Sequence, residues 1–173
     1  LRLVKESWEL EHIQKAADIA DHAFSQILPQ LHSGVKEKDI ALELEFCMRK
    51  AGASGVSFDP IVASGPRGAL PHARPGERVL QHGDFVVMDF GCVYSGYCSD
   101  MTRTVVVGEP TEKHLLIYDL VLQAQQTSLA AIKPGMTGIE VDRVARDIIE
   151  EGGYGQYFGH GLGHGVGLEV HEE

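Results

Sequence analysis

Two aspartates stand where a carboxylate is costly. Asp89 lies inside the apolar run Val86-Val87-Met88-Asp89-Phe90-Gly91. An ionised group there needs a hydrogen-bond network, an ion pair or a metal to hold it. Asp100 opens a second strand-like run, and Tyr94-Ser95-Gly96-Tyr97 between them reads as a hairpin turn. A hairpin centred midway between 89 and 100 sets the two carboxylates side by side. Two carboxylates held close repel, and the pKa of one rises. A divalent cation removes that penalty. Oxygen donors suit Mn, Mg or Ca, and a mixed nitrogen and oxygen set suits Mn, Co, Fe or Zn. The plainer alternative pairs Asp100 with Arg103 and leaves Asp89 capping a turn.

Histidines add weight to the metal. The run Gly159-His160-Gly161-Leu162-Gly163-His164-Gly165-Val166-Gly167 is dense in glycine, and His171 and Glu172 follow. Glycines strip side chains from around each histidine, so that a ligand or another backbone can approach closely. Three histidines in this short span exceed what core filling needs. Leu162, Val166, Leu168 and Val170 keep the alternation of a strand. His72 sits in Pro71-His72-Ala73-Arg74-Pro75 and can equally be a loop histidine in solvent.

The elements that must position these groups follow from periodicity. Residues 8–31 carry apolar groups at helical spacing, with Ser7 as a cap, and a second helix covers about 37–51. Ser57–Ala63 reads as a strand, followed by a loop rich in Gly and Pro from Gly65 to Gly76. Phe85–Phe90 is a buried strand and Met101–Val107 its returning partner. Thr111 caps a long helix to about Ile132, Lys133-Pro134-Gly135 breaks it, and a further helix spans about 138–151. Strand-like, Gly-rich sequence fills the remainder. A shift of 101 residues brings Gly34 onto Gly135, Ile40 onto Val141, Met48 onto Ile149 and Gly52 onto Gly153 without a gap. The chain thus reads as two similar halves, about 8–108 and 109–173, each built as helix, turn, helix and strands.

Composition bounds the function. The chain has 173 residues, 43% apolar and 23% charged, enough for a packed core. The net charge of −10 argues against nucleic acid, whose phosphates select basic patches. No apolar run is long enough for a membrane span. Cys47, Cys92 and Cys98 follow no CxxC spacing and read as reduced thiols of a cytoplasmic protein. The chain starts at Leu1 without a signal-peptide pattern and ends in a charged stretch, so it reads as a piece of a longer protein.

The combined motifs carry a resemblance. Ser64-Gly65-Pro66, Leu70-Pro71-His72, Gly83-Asp84-Phe85 to Asp89-Phe90-Gly91, Gly96-Tyr97, Asp100-Met101-Thr102-Arg103-Thr104 and His160-Gly161-Leu162-Gly163-His164 to His171-Glu172 together resemble the Xaa-Pro aminopeptidase and prolidase family. The likeness runs over essentially the whole chain. It implies an α+β, pita-bread (creatinase/aminopeptidase) fold of two pseudo-symmetric helix-helix-strand halves, the second incomplete. It implies two divalent metal ions, manganese first, with cobalt or zinc as alternatives. Asp89 then corresponds to a chelating ligand of one metal, Asp100 to the carboxylate bridging both and His164 to the single histidine ligand. His72, His160 and His171 correspond to catalytic histidines beside the metals that contact substrate and move protons. The family's two remaining glutamate ligands lie on later strands and have no counterpart here, so the resemblance implies an inactive chain in isolation.

The implied reaction is metal-assisted hydrolysis before a proline, with His171 stabilising the oxyanion. The main reading is an Xaa-Pro aminopeptidase acting on peptides with proline in second position. An Xaa-Pro dipeptidase (prolidase), a methionine aminopeptidase and a non-catalytic pita-bread binding module stand as alternatives. The histidine four residues before His164 favours the proline-specific branch. A homodimer is left open.

Overall fold

Apolar residues recurring every three to four positions make the first two helices, α1 (Ser7–Ile27) and α2 (Glu37–Lys50). Ala16, Ala20, Ala23 and Ile27 of α1, with Ile40, Leu44 and Met48 of α2, form the buried stripes. Ser7 is not the cap. Glu6 holds that position, and its backbone N–H donates to the Glu9 carboxylate at 2.7 Å. In this computed structural model, which describes residues 2–172, the helices are followed by β1 (Gly55–Val56), β2 (Ile61–Ser64), β3 (Phe85–Phe90), β4 (Cys92–Tyr94), β5 (Tyr97–Cys98) and β6 (Met101–Val106).

The strands form two antiparallel sheets, ordered β2-β3-β6 and β1-β4-β5. Burial alternates along β3: Val86, Met88 and Phe90 are buried, and Phe85, Val87 and Asp89 are half-buried. The buried set packs with α1 and α2 in one core, where Phe24 stacks on Phe90 at 6.3 Å. Asp89 therefore lies on the opposite sheet face from that core. The strand expected at 57–63 is shorter: within that range only β2 forms, from Ile61, while β1 ends before it at Val56 and belongs to the other sheet. Pro60 has no N–H to donate, and Ser57 turns elsewhere, its N–H to Gly91 O at 3.0 Å and its hydroxyl to Ser99 O at 2.7 Å.

Helices α3 (Glu112–Ala131) and α4 (Gly138–Glu151) come next. Each starts on a threonine cap: Thr111 accepts the His114 N–H and Thr137 the Glu140 N–H, both at 3.3 Å. Ala124, Ala145 and Ile149 form a small second core, with Ile148, Tyr154, Phe158 and Leu162 packed on it. The chain divides into two units, residues 1–109 with 165–173, and residues 110–164. The shift of 101 residues carries α2 onto α4 at both ends, and Gly34, Gly52, Gly135 and Gly153 share positive φ.

The Gly-rich remainder does not form the expected strand. Among the described residues it holds a short 3-10 turn, Gly155–Tyr157, and an isolated bridge between Gly165 and Glu172. Its backbone donors go to local or side-chain acceptors instead. Gly167 N–H donates to Glu169 O at 3.0 Å, and Leu162 N–H to the Asp142 carboxylate at 2.9 Å.

Candidate metal centre

A two-residue turn sets the geometry of both aspartates. Tyr94 pairs with Tyr97 across Ser95 and Gly96, whose φ values are +50° and +87°. Positive φ at both central residues is the hairpin turn whose twist suits flanking strands. The register that follows places Asp89 opposite Thr102, not opposite Asp100. The expected centring is thus one residue off, and Asp100 is a diagonal neighbour of Asp89. The Thr102 hydroxyl donates to Asp89 Oδ1 at 2.9 Å. Asp100 is exposed and immediately precedes β6, two residues before Thr102. Arg103 does not take the role of the plainer reading: its guanidinium reaches Asp21 of α1 at 3.1 Å.

Between the aspartates the two hairpin strands approach closely. A Cβ at Gly91 would stand 1.9 Å from the Ser99 carbonyl oxygen, so only glycine fits there. The same hairpin contributes to both sheets, β3 and β6 to one and β4 and β5 to the other.

His72 is exposed on the loop after β2. That loop hangs on Glu37, the first residue of α2, whose side chain is fully buried. Glu37 accepts the Ser64 N–H and hydroxyl, both at 2.8 Å, Arg67 Nε at 3.2 Å and the Gly76 N–H at 3.4 Å. Arg67 in turn donates to Arg74 O at 2.6 Å. The loop carrying His72 is therefore tied at both ends and in the middle.

His171 is exposed beside Glu172, whose carboxylate is the anchor of its segment. Lys5 Nζ lies 2.9 Å from Glu172 Oε2, and Arg2 Nη2 2.6 Å from Oε1. The Lys5 ammonium first, then the Arg2 guanidinium, pulls the Glu172 carboxyl from its ordinary 4.5 to about 2. The segment is also sewn to β5 by Cys98 N–H donating to Gly167 O at 2.7 Å.

His160 and His164 belong to the other unit, both exposed on the glycine-rich loop after α4. His160 Nδ1 lies 2.8 Å from Gly161 O. Sequence reasoning singled out the aspartates and histidines as candidates but missed Thr102 as the partner of Asp89, and missed Glu37. Thr102 follows only from the register. Glu37 looks like any charged residue in the first turn of a helix.

The donor chemistry fits a hard divalent cation. Two carboxylates come from one hairpin, and a hydroxyl donor orients one of them, as outer partners orient metal ligands. Among the described residues no group of three or more His, Cys, Asp or Glu side chains gathers at one point where it could hold a metal ion.

The family profile for metallopeptidase family M24 matches residues 11–173. The chain belongs to metallopeptidase family M24. It is 49% identical, over 99% of its own length and 49% of the other's, to the Xaa-Pro dipeptidase of Pyrococcus furiosus. Among solved structures, an Xaa-Pro dipeptidase from Bacillus anthracis superposes with a TM-score of 0.97 at 54% identity, covering 99% of this chain and 48% of that one. An X-Pro aminopeptidase from Thermotoga maritima gives 0.96 at 49% identity, over 99% and 49%. The chain thus spans about half the length of the curated relatives it matches. The M24 membership and these superpositions bear out the mixed α and β, pita-bread fold class, and M24 proteins are metallopeptidases.

Proposed function

We propose that the full-length protein is a metal-dependent hydrolase of Xaa-Pro bonds, acting as a dipeptidase. The observation that carries this is the β3-β6 hairpin of an M24 chain, with Asp89 held by Thr102 and Asp100 diagonal to it. The aminopeptidase reading gives way to its dipeptidase alternative. The Pyrococcus relative and the 54% identical Bacillus anthracis structure are both Xaa-Pro dipeptidases. One observation still favours aminopeptidase action: the Thermotoga structure at 49% identity is an X-Pro aminopeptidase.

Asp89, Asp100 and His164 would hold the two divalent metal ions, the aspartates as oxygen donors and His164 as the nitrogen donor. Manganese suits this mixed donor set, with cobalt or zinc as alternatives. The chemistry such a cation supplies is activation of water at neutral pH. His171 would donate to the oxyanion developing on the scissile carbonyl. His160 would line the proline side, and His72 would contact substrate and move a proton. The substrate is then a dipeptide ending in proline. Three sparse thiols, unpaired in disulfides, favour a cytoplasmic location.

The deciding assay gives the full-length protein, loaded with Mn, an Ala-Pro dipeptide and an Ala-Pro-Ala tripeptide. Faster turnover of the dipeptide is expected. Preference for the tripeptide would restore the aminopeptidase reading, and hydrolysis of neither would end both.

A further inference from the structure

We infer that Asp142 and Arg146 of α4 are a positioning pair that fixes the loop bearing His160 and His164. The two stand one helical turn apart. Arg146 Nε donates to Asp142 Oδ2 at 2.8 Å and Nη2 to Oδ1 at 3.1 Å, a two-pronged fork. The remaining donors leave the helix. Nη1 reaches Phe158 O at 2.8 Å and Nη2 reaches His160 O at 3.0 Å. Asp142 Oδ1 also accepts the Leu162 N–H at 2.9 Å. The guanidinium lies 4.5 Å over the Phe158 ring, and that ring meets the His160 ring edge-on at 5.1 Å.

Alternate residues 158, 160 and 162 are thus tied to one ion pair. The residues between them, Gly159 and Gly161, have no side chain with which to anchor themselves, and glycine loses the most backbone freedom on ordering. Order in this loop must come from outside it, and the fork supplies it. The pair is not needed to build the helix. The Thr137–Glu140 capping box starts α4, and Ala145 and Ile149, on the stripe beside the pair, bury the helix in the small second core. Both side chains of the pair remain partly exposed. Lysine could not replace Arg146, because one ammonium cannot serve a carboxylate and two separate carbonyls with planar geometry.

The inference rests on the proposed function only in giving His160 and His164 a purpose; the loop's order is measured without turnover. Amide hydrogen exchange on the full-length protein reads it, comparing Leu162 with Ile149 in the α4 core. In Asp142→Ala, Arg146→Ala and Arg146→Lys, Leu162 protection is expected to fall about ten- to a hundred-fold, the scale of a hydrogen bond to a charged group. Ile149 should stay within about two-fold, and Asp142→Asn, which keeps an acceptor for Leu162, should fall between. Unchanged Leu162 protection in Arg146→Ala, full retention in Arg146→Lys, or equal losses at Leu162 and Ile149 would each overturn the inference. If the exchange pattern holds but His160→Ala and His164→Ala leave Xaa-Pro hydrolysis of the full-length protein intact, the positioning pair stands and the functional reading falls.

Discussion

Glu172 shows how a single side chain anchors a functional segment, and its titration can be followed. Lys5 and Arg2 hold its carboxyl at about 2, below the ordinary 4.5. A carboxyl with a depressed folded-state pKa stabilises the fold above its unfolded value, and that contribution is lost as pH falls through the folded value. The pair therefore stabilises fully above about pH 4.5 and fades toward pH 2. Glu77 titrates in the same window beside Lys38 and Lys36, but it is exposed and unchanged in a Glu172 variant. Thermal unfolding of Glu172→Gln should thus show a lower melting temperature near neutral pH and a flatter decline from pH 4.5 to 2 than wild type. Parallel curves would contradict the assignment. At this scale the sequence exposed the residues whose own setting is costly or crowded: Asp89 in an apolar run, three histidines among glycines. It hid those defined by a partner far along the chain, such as Glu37, whose buried carboxylate serves Ser64, Arg67 and Gly76.

The hairpin from β3 to β6 is the element on which the candidate centre depends, and Gly91 is its tightest point. A methyl group there meets the Ser99 carbonyl, a backbone atom that cannot rotate away. Gly91→Ala should cost about 1–3 kcal/mol, the usual scale of overpacking, or more. Denaturant unfolding measures it, and a cost below about 0.5 kcal/mol would show that the strands separate without penalty. Helices α1 and α2 were legible because their 3.6-residue period is local and long, and α3 and α4 because Thr111 caps one and Lys133-Pro134-Gly135 separates them. The hairpin turn was legible from Ser95-Gly96. Its register was not, since the expected centring and the observed one differ by a single residue, and only the turn conformation separates them. The strand expected at 57–63 starts only after Pro60, and the glycine-rich stretch, for all its alternation, forms among the described residues only a bridge between Gly165 and Glu172.

At the level of the whole molecule, two units carry the candidate residues: Asp89, Asp100, His72 and His171 in one, His160 and His164 in the other. Both units begin with two helices, and the shift of 101 residues that relates α2 to α4 was readable from glycine and apolar positions alone. The fold class was readable because the motifs occur in one order along the whole chain. The choice between dipeptidase and aminopeptidase was not, because both share those motifs. No helix among the described residues is long and apolar enough to cross a membrane. The central claim is that Asp89 and Asp100 hold a divalent cation for Xaa-Pro hydrolysis. Its most direct test is hydrolysis of Ala-Pro by the full-length protein, stripped of metal and then given Mn, as wild type and as Asp100→Ala. Wild type should be active only after Mn is added, and Asp100→Ala should lose at least about a thousand-fold, what several kcal/mol of transition-state stabilisation amounts to. Full activity after stripping, or near wild-type turnover in Asp100→Ala, would contradict it.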